Sequence, residues 1–187
     1  MSDQRSEFER QMMLHLDAAH DLARWLVRHP QDAEDATQEA IMRAFRAFGQ
    51  FKGGNAKAWL LTIVRNVCMT RLKSSRSSAK VVVLQDVIDE IDKQNFDHAL
   101  GSPARPDEAL QAKENCRQVH DALASLPEAY REVLILREFD ELSYEEIAVI
   151  VGVPVGTVMS RLARARQRMR KLLDDNDDAG AVKRKGR

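Results

Sequence analysis

A set of arginine and small polar side chains between Thr157 and Lys171 has the residue types and spacing needed to contact nucleic acid. Hydroxyl and guanidinium groups donate hydrogen bonds to phosphates and to base edges. The segment from Arg161 to Lys171 carries six basic residues and no acidic residue. At helical spacing, one face holds Thr157, Ser160, Arg161, Arg164 and Arg168. This face predicts binding to DNA, and the alternative is a solvated basic face on a packed helix.

Two short helices joined by a tight turn are predicted to position this face. Ser143 and Glu146 fit a capping box at the start of the first helix. Gly152 suits the left-handed residue that ends a helix, and Pro154 suits the first turn of the next one. This order is typical of a helix-turn-helix, whose second helix enters the DNA major groove.

The composition predicts an all-α protein without metal or cofactor chemistry. Of 187 residues, 44% are hydrophobic and 5% are aromatic, and alternation of β-branched residues is almost absent. Cys68 and Cys116 lie outside any zinc-binding spacing. The sequence shows no phosphate-binding loop, no nucleophile–base set, no signal peptide and no apolar run of membrane-spanning length. We therefore expect a cytoplasmic binding protein that needs no cofactor, is not an enzyme and does not insert into membranes.

Helix signals and chain breaks divide the sequence into two small helical domains joined by a flexible linker. Three amphipathic helices are expected in the first domain, at 8–29, 32–48 and 55–73. The linker holds serine-rich and proline-rich stretches and one short predicted helix at 85–93. The predicted segments are a first domain at 1–76, the linker at 77–106, a helix-turn-helix domain at 107–173 that Asp107 caps, and a disordered charged tail at 174–187.

An acidic and polar face on the second predicted helix suggests a protein-docking surface. Acidic residues in a first helical turn favour the positive end of the helix dipole, which is the alternative explanation. The side chains continue beyond that turn, however, and lie opposite the apolar face. They are Glu34, Asp35, Gln38, Glu39 and Arg43.

The two predicted domains resemble regions 2 and 4 of bacterial sigma factors. A short chain holding only these regions and a linker resembles the extracytoplasmic-function group. The region 2 resemblance rests on residues 32–40, 45–51 and 58–66. The region 4 resemblance rests on residues 126–134, 142–148 and 156–166. The resemblance implies a subunit that binds core RNA polymerase and directs it to specific promoters for transcription initiation.

The resemblance also implies a partner for each surface. Region 2 of the family binds the clamp coiled coil of the polymerase β′ subunit, which implies docking by the acidic face from Asp32 to Glu39. Region 2 also holds the opened minus-ten promoter element, here through Thr62, Arg65, Asn66, Lys73 and Arg76. Region 4 implies contact with the polymerase β flap and places the basic helix on the minus-thirty-five element. An anti-sigma factor is expected to hold the protein inactive.

Three positions leave alternatives open. Trp59 is expected to pack in a core, with stacking on a base as the alternative. The Gly53–Gly54 pair fits either a plain turn or a loop close to a flipped-out base. Met159 stands where many relatives carry Lys or Arg, and it can contact a thymine methyl but cannot donate to guanine.

Two other functions compete with promoter recognition. A sigma mimic would sequester an anti-sigma factor without touching DNA, but the intact arginine set on the basic helix argues against it. A helix-turn-helix regulator would bind its operator tightly without polymerase. Sigma factors of this group are expected to bind DNA weakly when free.

Overall fold

The computed structural model describes the backbone of residues 2–27, 29–78 and 106–184, and side chains within 4–27, 29–74 and 115–174. The predicted linker helix at 85–93 and the linker itself lie outside the described residues. No strand occurs in the described ranges, which confirms the all-α prediction. The helices are α1 (Ser2–Met12), α2 (Leu16–Val27), α3 (Pro30–Ala47), α4 (Ala56–Ser78), α5 (Pro106–Ser125), α6 (Glu128–Glu138), α7 (Tyr144–Val151) and α8 (Val155–Arg184).

Internal contacts divide the chain into two compact units, Met1–Val83 with Glu132–Ser160 and Leu84–Arg131 with Arg161–Arg187. In the first unit, α2, α3 and α4 pack against one another, and α7 packs against α4. The segment 132–160, assigned from the sequence to the second domain, thus lies with the three N-terminal helices.

Alanine residues on α3 allow the first unit to pack closely. Ala33, Ala36, Ala40 and Ala44 are fully buried and recur on one face. Because helix separation depends on the side chains at the contact, small residues let α2 and α4 approach α3 closely. The larger buried residues that fill the core include Leu22, Leu26, Leu60, Leu61 and Val64.

An aromatic cluster closes one part of this core. The ring centroid of Phe8 lies 5.2 Å from Phe45 and 5.3 Å from Phe48, both in edge-on geometry. Trp59 lies half-buried with its ring centroid 5.1 Å from that of Phe51. Aromatic pairs at these separations stabilise a core beyond their buried area. Trp59 therefore packs against Phe51, which agrees with the core position that the sequence favoured over base stacking.

The first helix boundaries differ from the prediction. The segment predicted as one helix at 8–29 consists of α1 and α2, joined by a 3₁₀ turn at Met13–His15. Pro30 is the first residue of α3, where its missing N–H costs nothing. His29 before it is extended, at φ −97° and ψ 123°, because proline disfavours the helical conformation of the preceding residue. Similarly, α5 begins at Pro106, so Asp107 lies inside the helix and is not its cap.

Helix α8 is longer than predicted. Residues 174–184, expected to be a disordered tail, continue the helix to Arg184. This stretch holds no proline, and extending an existing helix costs far less than nucleating a new one. The prediction of a disordered tail is therefore wrong for these residues of the described backbone.

The turn geometry of the helix-turn-helix follows the sequence signals. The Glu146 amide donates to Ser143 Oγ at 3.2 Å, and the Ser143 amide donates to Glu146 Oε2 at 2.8 Å, which completes the capping box. Gly152 ends α7 with φ 70°, a conformation that side chains with a Cβ rarely adopt. Its amide donates to the Ala148 carbonyl at 2.9 Å. Pro154 directly precedes α8, and its carbonyl accepts from the Thr157 amide.

We expect Ser143→Ala to lower the free energy of unfolding by about 1 kcal/mol, because the change removes the hydroxyl that caps α7. Urea unfolding followed by circular dichroism measures this value. Ser125→Ala is the matched control, since Ser125 lies exposed and only donates to the Asp121 carbonyl of its own helix. Equal losses in both variants would contradict a specific capping role.

Candidate nucleic-acid interface

Helix α8 separates an apolar face from a basic one. Val158, Leu162 and Ala165 are at most 1% exposed. Ser160, Arg164 and Arg168 are exposed, and Thr157 and Arg161 are partly exposed. The arrangement keeps the five predicted DNA-contacting residues out of the core, as the spacing indicated. Their contact with DNA itself stays a prediction.

Local contacts orient two of these side chains. Ser160 Oγ donates to the Thr157 carbonyl at 3.0 Å, which leaves the hydroxyl oxygen free to accept a hydrogen bond. The Arg168 guanidinium lies 5.1 Å from the ring centroid of Tyr130, at cation–π distance. Arg168 is therefore held by an aromatic ring, whereas Arg164 projects from the helix. Met159 is 53% exposed and can reach an apolar surface such as a thymine methyl.

Two arginines that support the helix-turn-helix were missed as site residues. Arg131 is 2% exposed, and its Nη1 donates to the carbonyls of Ala124 and Leu126. Arg137 Nη1 donates to the Leu142 carbonyl at 2.7 Å, and its guanidinium lies 5.2 Å from the Tyr144 ring. These contacts fix the chain before α6 and before α7. Helical spacing does not reveal them, because each depends on the local turn.

The acidic face of α3 is exposed and partly neutralised by α4. Arg71 donates to Glu39 Oε2 through Nε at 3.2 Å and Nη2 at 2.9 Å, and its Nη1 lies 3.8 Å from Asp35 Oδ2. Hydrogen bonding from Arg71 is the main cause of a lowered pKa for Glu39, which keeps that carboxylate charged. Asp32, Glu34 and Gln38 are exposed. Sequence reasoning missed Arg71, which is 32 residues from Glu39.

The predicted DNA face of α4 is only partly open. Asn66 and Lys73 are exposed, while Thr62 Oγ1 donates to the Ala58 carbonyl at 2.8 Å. Arg76 belongs to α4, but its side chain lies outside the described ones. The Arg65 side chain is 19% exposed, and its Nε donates to Glu132 Oε1 at 2.6 Å. The structure therefore does not place Arg65 on a free surface with Asn66 and Lys73.

Two more polar pairs accompany Arg65–Glu132. Lys57 Nζ lies 2.9 Å from both Asp140 Oδ1 and the Asp140 carbonyl oxygen. Asn55 Nδ2 donates to Glu146 Oε1. We call these three pairs the three-pair contact. Burial raises the pKa of Asp140, and the Lys57 ammonium opposes that rise.

Within the described residues, no group of three or more His, Cys, Asp or Glu side chains is arranged to hold a metal ion. No single helix there is long and apolar enough to span a membrane. Among these residues, one pair of consecutive helical segments, Tyr144–Val151 and Val155–Asp174, is long and apolar enough when the two are taken together. The pair is bent by 99°.

The two cysteines differ in chemistry. Burial raises the pKa of Cys68 to about 11, because an apolar environment disfavours the thiolate. Cys116 is partly exposed. At about pH 8 we expect a maleimide to modify Cys116 on the order of a hundredfold faster than Cys68, since only the thiolate reacts. Peptide mapping after timed labelling measures the two rates, and comparable rates in the folded protein would contradict the burial of Cys68.

An all-α chain whose helix-turn-helix exposes a basic second helix is the architecture of a DNA-binding transcription factor. Two family models match it. The model for sigma-70 region 2 matches residues 12–78, and the model for sigma-70 region 4 matches residues 116–169. The first range contains α2 to α4, and the second contains α6, α7, the second half of α5 and the first half of α8.

Curated relatives and solved structures agree with these matches. The chain is 39% identical to the RNA polymerase sigma-H factor of Pseudomonas aeruginosa over 150 residues, covering 79% of this chain and 76% of the relative. It is 37% identical to the ECF RNA polymerase sigma-E factor of Escherichia coli K12 over 139 residues, covering 73% and 71%. The protein belongs to the bacterial RNA polymerase sigma factors of the sigma-70 family, in the extracytoplasmic-function group.

Two solved structures are similar in fold. The sigma factor RpoE from Bartonella quintana, solved with the anti-sigma factor NepR, gives a TM-score of 0.66 at 29% identity and covers 90% of this chain and 97% of that one. CnrH, solved with the cytosolic domain of CnrY, gives 0.61 at 22% identity and covers 91% and 90%. The second likeness supports the fold alone.

Proposed function

We propose that this sigma factor divides promoter recognition between three surfaces. The acidic face of α3 docks on core RNA polymerase, the polar face of α4 holds the downstream promoter element, and the basic face of α8 reads the upstream element. The polymerase carries out catalysis, so the protein acts in the cytoplasm as a binding subunit and not as an enzyme. The observation that carries this proposal is the basic face of α8, which is exposed while Val158, Leu162 and Ala165 of the same helix are buried.

Charge separation along the chain supports the division of labour. The docking residues on α3 are acidic except for Gln38, whereas the candidate DNA residues on α4 and α8 are basic or neutral. Phosphates repel carboxylates and attract guanidinium groups, so α3 is suited to a basic protein surface and α8 to DNA.

The deciding experiment is transcription with purified core polymerase and a promoter library, with and without the protein. The proposal expects promoter-specific transcripts only when both are present. A sigma mimic gives none with any promoter and binds only an anti-sigma factor. A helix-turn-helix regulator instead gives tight operator binding in a gel shift without polymerase.

We also propose control by an anti-sigma factor. The support is that the sigma factor RpoE of Bartonella quintana, which is 29% identical and similar in fold, was solved in complex with an anti-sigma factor. The test is purification from the native host, followed by addition of any partner to the transcription reaction. Control predicts a stoichiometric partner that abolishes transcription, and recovery of the protein only free or with polymerase counts against it.

A further inference from the structure

Arg71 reaches from α4 to the acidic face of α3 and contacts two carboxylates that lie one helical turn apart. Its Nε and Nη2 donate to Glu39 Oε2 at 3.2 and 2.9 Å. Its Nη1 lies 3.8 Å from Asp35 Oδ2. One guanidinium group therefore bridges Asp35 and Glu39, which are both proposed to dock on core RNA polymerase. Because Arg71 belongs to a different helix, it fixes these two side chains relative to α4.

The carboxylate of Glu39 is held at both oxygens. Arg43, which lies on the same helix as Glu39, donates from Nη2 to Oε1 at 2.5 Å, while Arg71 donates to Oε2. A carboxylate oxygen has more than one acceptor position, so Oε1 can still accept a hydrogen bond from a partner protein. A glutamate side chain that is already held loses less rotamer freedom when it docks than a free one does. These contacts therefore prepare Glu39 for a partner.

The exposure of these groups separates a docking role from a folding role. The side chains of Asp35 and Glu39 are 50% and 36% exposed, and that of Arg71 is 35% exposed. Ion pairs with this much exposure contribute little to stability. Helices α3 and α4 already pack against each other, and each carries fully buried apolar residues. The contacts of Arg71 therefore act mainly on carboxylates that a partner can reach.

Neutralisation of the acidic face is the alternative role for Arg71. A positive charge beside Asp35 and Glu39 weakens the attraction of the face for a basic partner, so its removal would strengthen docking. Positioning predicts the opposite result, because removal frees both carboxylates. The geometry favours positioning, since different nitrogen atoms of one planar group contact the two side chains and restrict both.

We propose that Arg71 is a positioning residue for polymerase docking, which holds Glu39 and Asp35 in the orientation in which they meet core RNA polymerase. The inference rests on the proposed docking role of α3 and adds a residue of α4 to it. Arg71 acts through the two carboxylates. Without Arg71 they must be ordered during binding, and the complex dissociates faster.

The first test measures binding of the full-length protein to immobilised core RNA polymerase by biolayer interferometry. Arg71→Ala is expected to bind about tenfold more weakly, mainly through faster dissociation. Arg71→Lys keeps the positive charge but lacks the planar group that spans both carboxylates, so it is expected to recover only part of the loss. Binding by Arg71→Ala that equals or exceeds that of the wild type overturns the proposal.

Arg10→Ala is the matched control for the change in net charge. Arg10 is an exposed residue of α1 whose guanidinium pairs with Glu7 of the same helix. Its replacement removes one positive charge and one exposed ion pair, as Arg71→Ala does, but leaves α3 and α4 unchanged. We expect polymerase binding to change by less than about twofold. Equal losses in Arg10→Ala and Arg71→Ala assign the effect to net charge and overturn the positioning role.

The second test asks whether Arg71 acts through the two carboxylates. Asp35→Ala with Glu39→Ala removes both of them. In that background Arg71→Ala is expected to change polymerase binding by less than about twofold, because no carboxylate remains for it to position. A loss of about tenfold in both backgrounds overturns the proposal, since residues that act independently give additive effects.

The same variants separate this inference from the proposed function. If Asp35→Ala with Glu39→Ala binds core polymerase as the wild type does, the docking role of α3 fails and the inference fails with it. If that double variant binds weakly but Arg71→Ala binds normally, the inference alone fails. Unfolding of Arg71→Ala in urea is expected to stay close to that of the wild type. A clearly lower unfolding midpoint assigns Arg71 to the fold and overturns the positioning role.

Discussion

Replacing Arg161 with alanine is expected to weaken binding of the polymerase–sigma complex to the upstream promoter element by about 1–3 kcal/mol if the side chain reads a base. Arg161 lies partly exposed on α8, next to the buried Leu162. A guanidinium group that contacts guanine through two hydrogen bonds gives discrimination of this size. Titration of the complex against promoters with single base changes measures both the loss and the position at which specificity relaxes.

Leu162→Ala is the matched control for Arg161→Ala, because the two residues are adjacent in the helix but only Leu162 is buried in the core. Leu162 is 1% exposed, so its truncation is expected to lower the free energy of unfolding by about 2–5 kcal/mol. Arg161→Ala should leave unfolding within about 0.5 kcal/mol of the wild type. A uniform loss across all promoter sequences would instead assign Arg161 to a phosphate.

The helix-turn-helix was predictable from the sequence because its signals are local. Ser143 and Glu146 are three residues apart, and Gly152 marks a backbone conformation that few other residues adopt. The two faces of α8 follow from helical periodicity alone. Family resemblance added the surfaces on α3 and α4, which periodicity shows only as polar.

Long-range pairing was not predictable from the same signals. Arg65 was assigned to DNA because it lies on the polar face of α4, but Glu132, 67 residues away, takes its guanidinium. Arg71 was not predicted to contact the acidic face of α3, although it donates a hydrogen bond to Glu39 and lies near Asp35. Periodicity tells which face of a helix avoids the core, but it does not tell which charged partner another part of the chain brings to that face.

The break between α1 and α2 was also not predictable from the spacing of apolar residues. The apolar positions Met12, Leu16 and Ala19 continue one helical pattern across the 3₁₀ turn at Met13–His15. A single turn with tighter hydrogen bonding changes the direction of the chain without changing that pattern. The length of α8 was missed for a related reason, because charge content was taken as disorder where helix extension was inexpensive.

Asp35→Lys is expected to cost several kcal/mol in binding to core RNA polymerase, because it places a positive charge on the acidic face that is proposed to meet a basic surface. Asp35 is half-exposed and lies 3.8 Å from Arg71, so its ion pair contributes at most about 1 kcal/mol to folding. The loss should therefore appear in polymerase binding and not in the free energy of unfolding. Competition against the wild-type protein for core enzyme measures the first, and urea unfolding measures the second.

Glu9→Lys controls for the change in net charge, since Glu9 is an exposed acid on α1 whose carboxylate pairs with Arg5 of the same helix. A docking role for α3 predicts a large loss for Asp35→Lys and little change for Glu9→Lys. Asp35→Ala should fall between them, because it removes the attraction without adding repulsion. If Asp35→Ala unfolds the protein, or if both lysine variants lose polymerase binding equally, Asp35 acts through the fold or through net charge and the docking surface lies elsewhere.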